Sequence, residues 1–161
     1  MGYTHYWNQT AVFNQRDWDH LKRFVGAVLA HLPEHSASAG GHYEDAPLQV
    51  AVLGSPEDRI WIEGFGRYEG VDLDHESFVV EKDGYGFRFC KTARKPYDLV
   101  VATILLQAHL LQQEGFLVST DGDFDDWSPV FEYHNRVAGE VEAAPSATPA
   151  DIRRIIACKV L

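Results

Sequence analysis

The stretch Phe87–Leu111, reading FRFCKTARKPYDLVVATILLQAHLL, constrains this chain more than any other. It is a short β-favouring run, a basic turn, and then the longest apolar segment of the sequence. The spacing predicts a helix from Pro96 to about Glu114. Val100, Val101, Ile104, Leu105, Ala108, Leu110 and Leu111 cover more than one narrow stripe, so the helix is expected to be buried on more than one side. Pro96 falls where a helix begins and forfeits no hydrogen bond there. Gly115 stands where a helix of this length would end, at a position that favours glycine.

The turn before this helix carries Lys91, Arg94 and Lys95, three positive charges within five residues of a chain with formal net charge −10. A strand that feeds directly into a helix leaves unpaired backbone N–H groups at the helix start. Those groups and the positive end of the helix dipole attract phosphate or carboxylate. Arginine adds a planar fork that grips phosphate with two bonds. The turn is therefore a candidate anion site. There is no GxxxxGK[ST] run, so it is not a P-loop. Asp98, in the first turn of the helix, competes for the same N–H groups. The plain alternative is a solvated basic loop with Asp98 complementing the dipole.

At 161 residues, with 45% hydrophobic and 12% aromatic content, the chain reads as a single domain, 1–161, with ample material for a core. Strands are expected at Gly2–Trp7, Leu48–Leu53, Ile60–Phe65, Ser77–Glu81, Tyr85–Cys90 and Phe116–Thr120. The second and third read as one hairpin; the fourth and fifth read as another, closed at Asp83-Gly84. Besides Pro96–Glu114, helices are expected over about 15–32, capped by Asn14, and from Asp125 or Asp126 to about Val137. The end of the chain, after Thr148-Pro149, starts as a helix. Glu34–Ala46 and Gly54–Asp58 read as loop and turn. Four successive strands in the middle predict an α+β fold with a single, mainly antiparallel sheet and about three helices packed on it.

Several residue groups could carry chemistry. Tyr3, His5, Tyr6 and Trp7 concentrate rings near the start, where they either stack a flat ligand or fill core; Tyr97 lies beside the basic turn. Asp121, Asp123, Asp125 and Glu132 match positions 1, 3, 5 and 12 of a calcium loop, but Asp126 stands where glycine is needed and the preceding segment reads as a strand. A helix cap explains these carboxylates better, and no metal or cofactor is expected. The eight histidines include no HExxH spacing. No GxSxG elbow occurs, and Cys90 in a strand reads as a small core residue.

The acidic balance argues against general nucleic-acid or membrane binding. Two cysteines and an amino terminus without an apolar leader imply a cytoplasmic protein with reduced thiols. MGYTHYW, FCKTARKPYD and STDGDFDDW together resemble a family of small, uncharacterised phage and prophage proteins. The resemblance implies an accessory role in the bacterial host cytoplasm and assigns no catalytic residue. The expected function is non-enzymatic binding of a small phosphate-bearing ligand, such as a nucleotide-derived signal of host defence. Tyr3, His5, Tyr6, Trp7, Lys91, Arg94, Lys95 and Tyr97 are the candidate ligand contacts. A hydrolase or phosphoesterase with an Asp/His site, and an inhibitor that binds a host protein, are the alternatives. A homo-oligomer is left open.

Overall fold

The structure is a computed structural model that describes residues 2–36, 43–52 and 58–159. The loop expected over Glu34–Ala46 and the turn at Gly54–Asp58 fall partly outside those residues. Along the chain run β1 (Thr4–Gln9), α1 (Gln15–Ala30), β2 (Val50–Val52), β3 (Arg59–Gly64), β4 (Arg67–Tyr68) and β5 (Val71–Asp72). Then follow β6 (Phe78–Glu81), β7 (Gly86–Lys91), α2 (Asp98–Leu111), β8 (Phe116–Thr120), α3 (Phe124–Ala138) and α4 (Pro149–Ala157). The fold is α+β, as expected. Its strands form three antiparallel sheets rather than one, ordered β7-β1-β8, β2-β3-β6 and β4-β5, and the described residues hold four helices rather than three.

The division into sheets follows from one hairpin that does not form. Asp83-Gly84 predicts that the strands on either side pair, yet β6 pairs with β3 and β7 pairs with β1. Bonds from neighbouring elements hold the end of β6 away. The Lys82 carbonyl accepts from Phe13 N at 3.0 Å, and Lys82 N donates to Asp58 O at 2.9 Å. The buried Gln9 amide also reaches the carbonyls of Glu81 and Lys82. The strands meet again where Glu76 N donates to Lys91 O. Between these ends lies a cavity of about 140 Å³, bounded by Trp7, Gln9, Val79 and Arg88.

The central helix is α2. Every residue from Asp98 to His109 is buried, because α1, α3 and β8 all pack against it. It stops at Leu111, earlier than Glu114, and Gly115 serves another purpose than a helix cap. A Cβ on Gly115 would come within 2.9 Å of the Ala11 methyl, so the position needs glycine for close approach. Asn14 caps α1 through a 2.8 Å bond from Asp17 N. The cap of α3 is Asp123, not Asp125 or Asp126, in a reciprocal box with Asp126.

Inside the helices lies a chain of polar groups. Gln107 of α2 stands between His20 of α1 and His134 of α3, with Nε2 contacts of 2.8 and 2.7 Å. His134 Nδ1 lies 3.0 Å from Asn135 Oδ1. Asn135 is fixed in turn by both backbone groups of Ala147, donating at 3.1 Å and accepting at 2.8 Å. These bonds satisfy polar groups that burial would otherwise penalise.

Ile104 is fully buried at the middle of α2. Replacing Ile104 with Ala should cost about 2–5 kcal/mol in denaturant unfolding. A loss below about 0.5 kcal/mol, the usual surface value, would place the helix at the periphery.

Candidate functional site

Asp98 opens α2 with a carboxylate that is only 2% exposed. Its Oδ1 accepts from Thr92 Oγ1 at 2.5 Å and lies 2.6 Å from His5 Nε2. The other nitrogen of His5, Nδ1, is 3.0 Å from Thr120 Oγ1. Thr120 Oγ1 already accepts from Gly122 N at 3.0 Å and from Trp127 Nε1 at 3.2 Å. With both lone pairs used, the hydroxyl proton is left for His5 Nδ1, so Nε2 carries the ring hydrogen toward Asp98. One tautomer satisfies the whole chain of bonds. The rings of Tyr3 and Trp127 stand edge-on to His5 at 5.1 and 5.5 Å. Gly122 is needed here, since a Cβ would overlap the Tyr3 hydroxyl.

Hydroxyl, imidazole and carboxylate thus follow the order of a nucleophile–base–acid relay. The surroundings remove its use as one. His5 has no exposed surface, and Thr120 has no free lone pair to attack with. Burial also pushes the Cys90 thiol up to about 12, which suppresses its thiolate. The buried relay holds together the ends of β1, β7 and β8 and the starts of α2 and α3.

The basic turn is folded tightly over this relay. Thr92 N and Ala93 N both donate to Tyr3 O, at 3.0 and 3.1 Å. Ala93 and Arg94 have φ of +53° and +59°, a left-handed conformation that non-glycine residues adopt at a cost. Arg94 donates to Asp126 at 2.8 Å and lies 4.0 Å above the Tyr3 ring. Burial opposes ionisation of Asp126, but the Arg94 bond and charge outweigh it and hold the carboxyl below its ordinary range. Burial and the nearby Asp98 and Asp126 raise the Tyr3 hydroxyl above its ordinary value.

The sequence expectation for this turn needs correction. Strand β1 does lie beside β7, pairing Thr4 with Lys91, and brings Tyr3 against the turn. However, Lys95 is buried, donating to Tyr43 Oη at 2.9 Å and Asp72 O at 2.6 Å. Arg94 is taken by Asp126 and Tyr3. The start of α2 is closed by the turn before it, with Asp98 N donating to Lys95 O at 2.9 Å and Leu99 N to Pro96 O at 3.4 Å. Tyr97 is buried, with its hydroxyl on Glu76 O at 2.6 Å. His5 and Trp7 are core residues; the Trp7 ring packs on Phe78 and Phe116. Of the three cations only Arg94 has an ion pair, and only Lys91 has neither an ion pair nor a side-chain hydrogen bond among the described residues.

The acidic residues also go separate ways. Asp121 accepts from Thr4 N and Tyr6 Oη, at 3.0 and 3.1 Å. Asp123 caps α3, while Asp125 and Glu132 are exposed. Among the described residues no three His, Cys, Asp or Glu side chains gather as metal ligands would. No helix among them is long and apolar enough to cross a membrane.

The opposite face of the β7-β1-β8 sheet carries an arrangement that sequence reasoning missed. Tyr6 stacks on Phe87 with ring centroids 6.1 Å apart, and Phe87 lies 6.1 Å from Phe89. Phe89 is 54% exposed and Phe87 37%. The next same-face position on β7 is Lys91, about 7 Å beyond Phe89 by strand geometry. The signal was the period-two set Phe87, Phe89 and Lys91, opposed by buried Cys90. Comparison with protein-family models, curated proteins and solved structures finds no match.

Removing the Asp98 carboxylate strands His5 and Thr92 without an acceptor. Asp98→Ala should therefore cost about 3–5 kcal/mol in denaturant unfolding. Arg94→Ala, which breaks a partly exposed pair, should cost about 1 kcal/mol or less. Equal small losses for both would show that the relay does not hold the fold.

Proposed function

We propose that the chain is a non-enzymatic binding protein for a small ligand with a flat ring and a phosphate, of the nucleotide class. The observation that carries the reading is the exposed row Tyr6–Phe87–Phe89 ending at Lys91. Ring faces on an open sheet stack bases whatever their identity, and a nearby ammonium takes phosphate as a point charge. This ligand rests on the outward sheet face; the aromatic contacts are Tyr6, Phe87 and Phe89, in place of Tyr3, Trp7 and Tyr97. The closed relay around His5 favours binding over conversion. The resemblance to phage proteins makes a nucleotide-derived signal of host defence, sequestered in the bacterial cytoplasm, the ligand to try first.

Calorimetric titration with mononucleotides, cyclic dinucleotides and ADP-ribose derivatives tests this. At least one should bind, and Phe89→Ala should weaken it about 5- to 100-fold, the worth of one stacked ring. Lys91→Ala should weaken it further. The ligand should be recovered intact after the protein is denatured; a converted product instead establishes the hydrolase alternative. No binding across the panel, or binding indifferent to Phe89, overturns the reading. Exposed rings on the edge strand β7 also favour a second reading, an inhibitor that docks on a host protein. Its result is no ligand, and a host protein retained by the wild type but not by Phe89→Ala.

A further inference from the structure

A second cavity, of about 380 Å³, lies on the helical side of the molecule. Three of its residues, Arg16, His20 and Arg23, follow the i, i+4, i+7 spacing of one α1 face. Leu111 and Ala143 close the other side. Ala143 is a non-glycine residue with φ +61°, a conformation that persists where its surroundings impose it. Arg23 has no ion-pair partner among the described residues, and Arg16 has only a 3.8 Å contact with Asp17, which also lines the cavity. Two arginines, one unopposed, therefore line a space large enough for a small molecule in an otherwise acidic protein.

His20 adds selectivity, because the buried polar chain behind it decides its tautomer. The backbone of Ala147 fixes the Asn135 amide, so Asn135 Oδ1 faces His134 Nδ1 and that nitrogen must carry hydrogen. Burial holds the His134 ring well below its ordinary value, at about 4, so the ring is neutral and its Nε2 is bare. With the Gln107 oxygen toward His134, the ring would face two acceptors and need a charge. A half-turn of the Gln107 amide removes the conflict, and such a turn leaves the shape unchanged. Its NH₂ then serves His134, and its oxygen accepts from His20 Nε2–H. Neutral His20 is left with a bare Nδ1, which has no protein partner among the described residues.

We infer that the Arg16–His20–Arg23 cavity binds a small anion that also carries an O–H donor, of the phosphate or phosphomonoester class. The guanidinium groups take the charge, and the P–OH group donates to His20 Nδ1. This site is separate from the sheet face.

Titrations with inorganic phosphate and with sulfate at pH 7, followed by the imidazole resonances of His20, test it. Phosphate should shift them, and sulfate, which has no hydrogen to donate, should bind about tenfold more weakly. Arg23→Ala, a surface change that leaves the core intact, should weaken phosphate about tenfold. Phe89→Ala should leave phosphate binding unchanged, which separates this inference from the sheet-face reading. No shift of His20, equal binding of both anions, or indifference to Arg23→Ala overturns it.

Discussion

A carboxylate taken out of water must be met by hydrogen bonds or lose its charge, and Asp98 is met from two sides by His5 and Thr92. This requirement organises the molecule. Thr92 sits just past β7, His5 in the middle strand, and Asp98 at the head of the central helix, so one acceptor joins a strand edge, a strand core and a helix. Through His5 the same chain reaches Thr120 at the end of β8 and Trp127 in α3. The left-handed backbone at Ala93 and Arg94 is a consequence. The chain must turn sharply after Lys91 for Thr92 and Asp98 to share an oxygen, and two bonds onto Tyr3 O hold the turn there.

That constraint also explains why the basic turn is not an open anion site. A helix start can hold a ligand anion only if its N–H groups are free, and here Asp98 N and Leu99 N already donate to the carbonyls of Lys95 and Pro96, with the Asp98 charge in the first turn. Burying the relay then brings Lys95 inside, where it serves Asp72 O and Tyr43. Arg94 spans outward to Asp126 across the Tyr3 ring. The positive charge of FCKTARKP is used to tie elements together in an acidic chain. What remains for a partner is the outward sheet face, where Phe87 and Phe89 have no covering element among the described residues. The stripe Arg16–Arg23 remains as well, where one arginine stands unopposed.

Much of this could be read from local chemistry. The α1 cap at Asn14, the burial of Ile104 and the helix start at Thr148-Pro149 depend on nearest neighbours along the chain, and the residues there carry clear signals. The pairing of β6 and β7 depends on Gln9 and Phe13, more than 60 residues away in sequence, which no turn motif can announce. The candidate site was half legible for the same reason. Strand alternation alone puts Tyr3, His5 and Trp7 on one face and Tyr6 on the other. Which face was core could not be known before β7 and β8 were placed beside β1. Asp98 looked like a dipole residue because its partners, His5 and Thr92, declare themselves only in the folded chain.

The central claim, that the ligand rests on the outward sheet face and not in the basic turn, is tested most directly by nuclear magnetic resonance. The ring and amide resonances should be followed during titration with the nucleotide that binds best. The account predicts that the rings of Tyr6, Phe87 and Phe89 shift together with the Lys91 amide, while Ala93, Lys95 and the His5 ring stay in place. Shifts centred on Ala93–Lys95 with the three rings unmoved would contradict it.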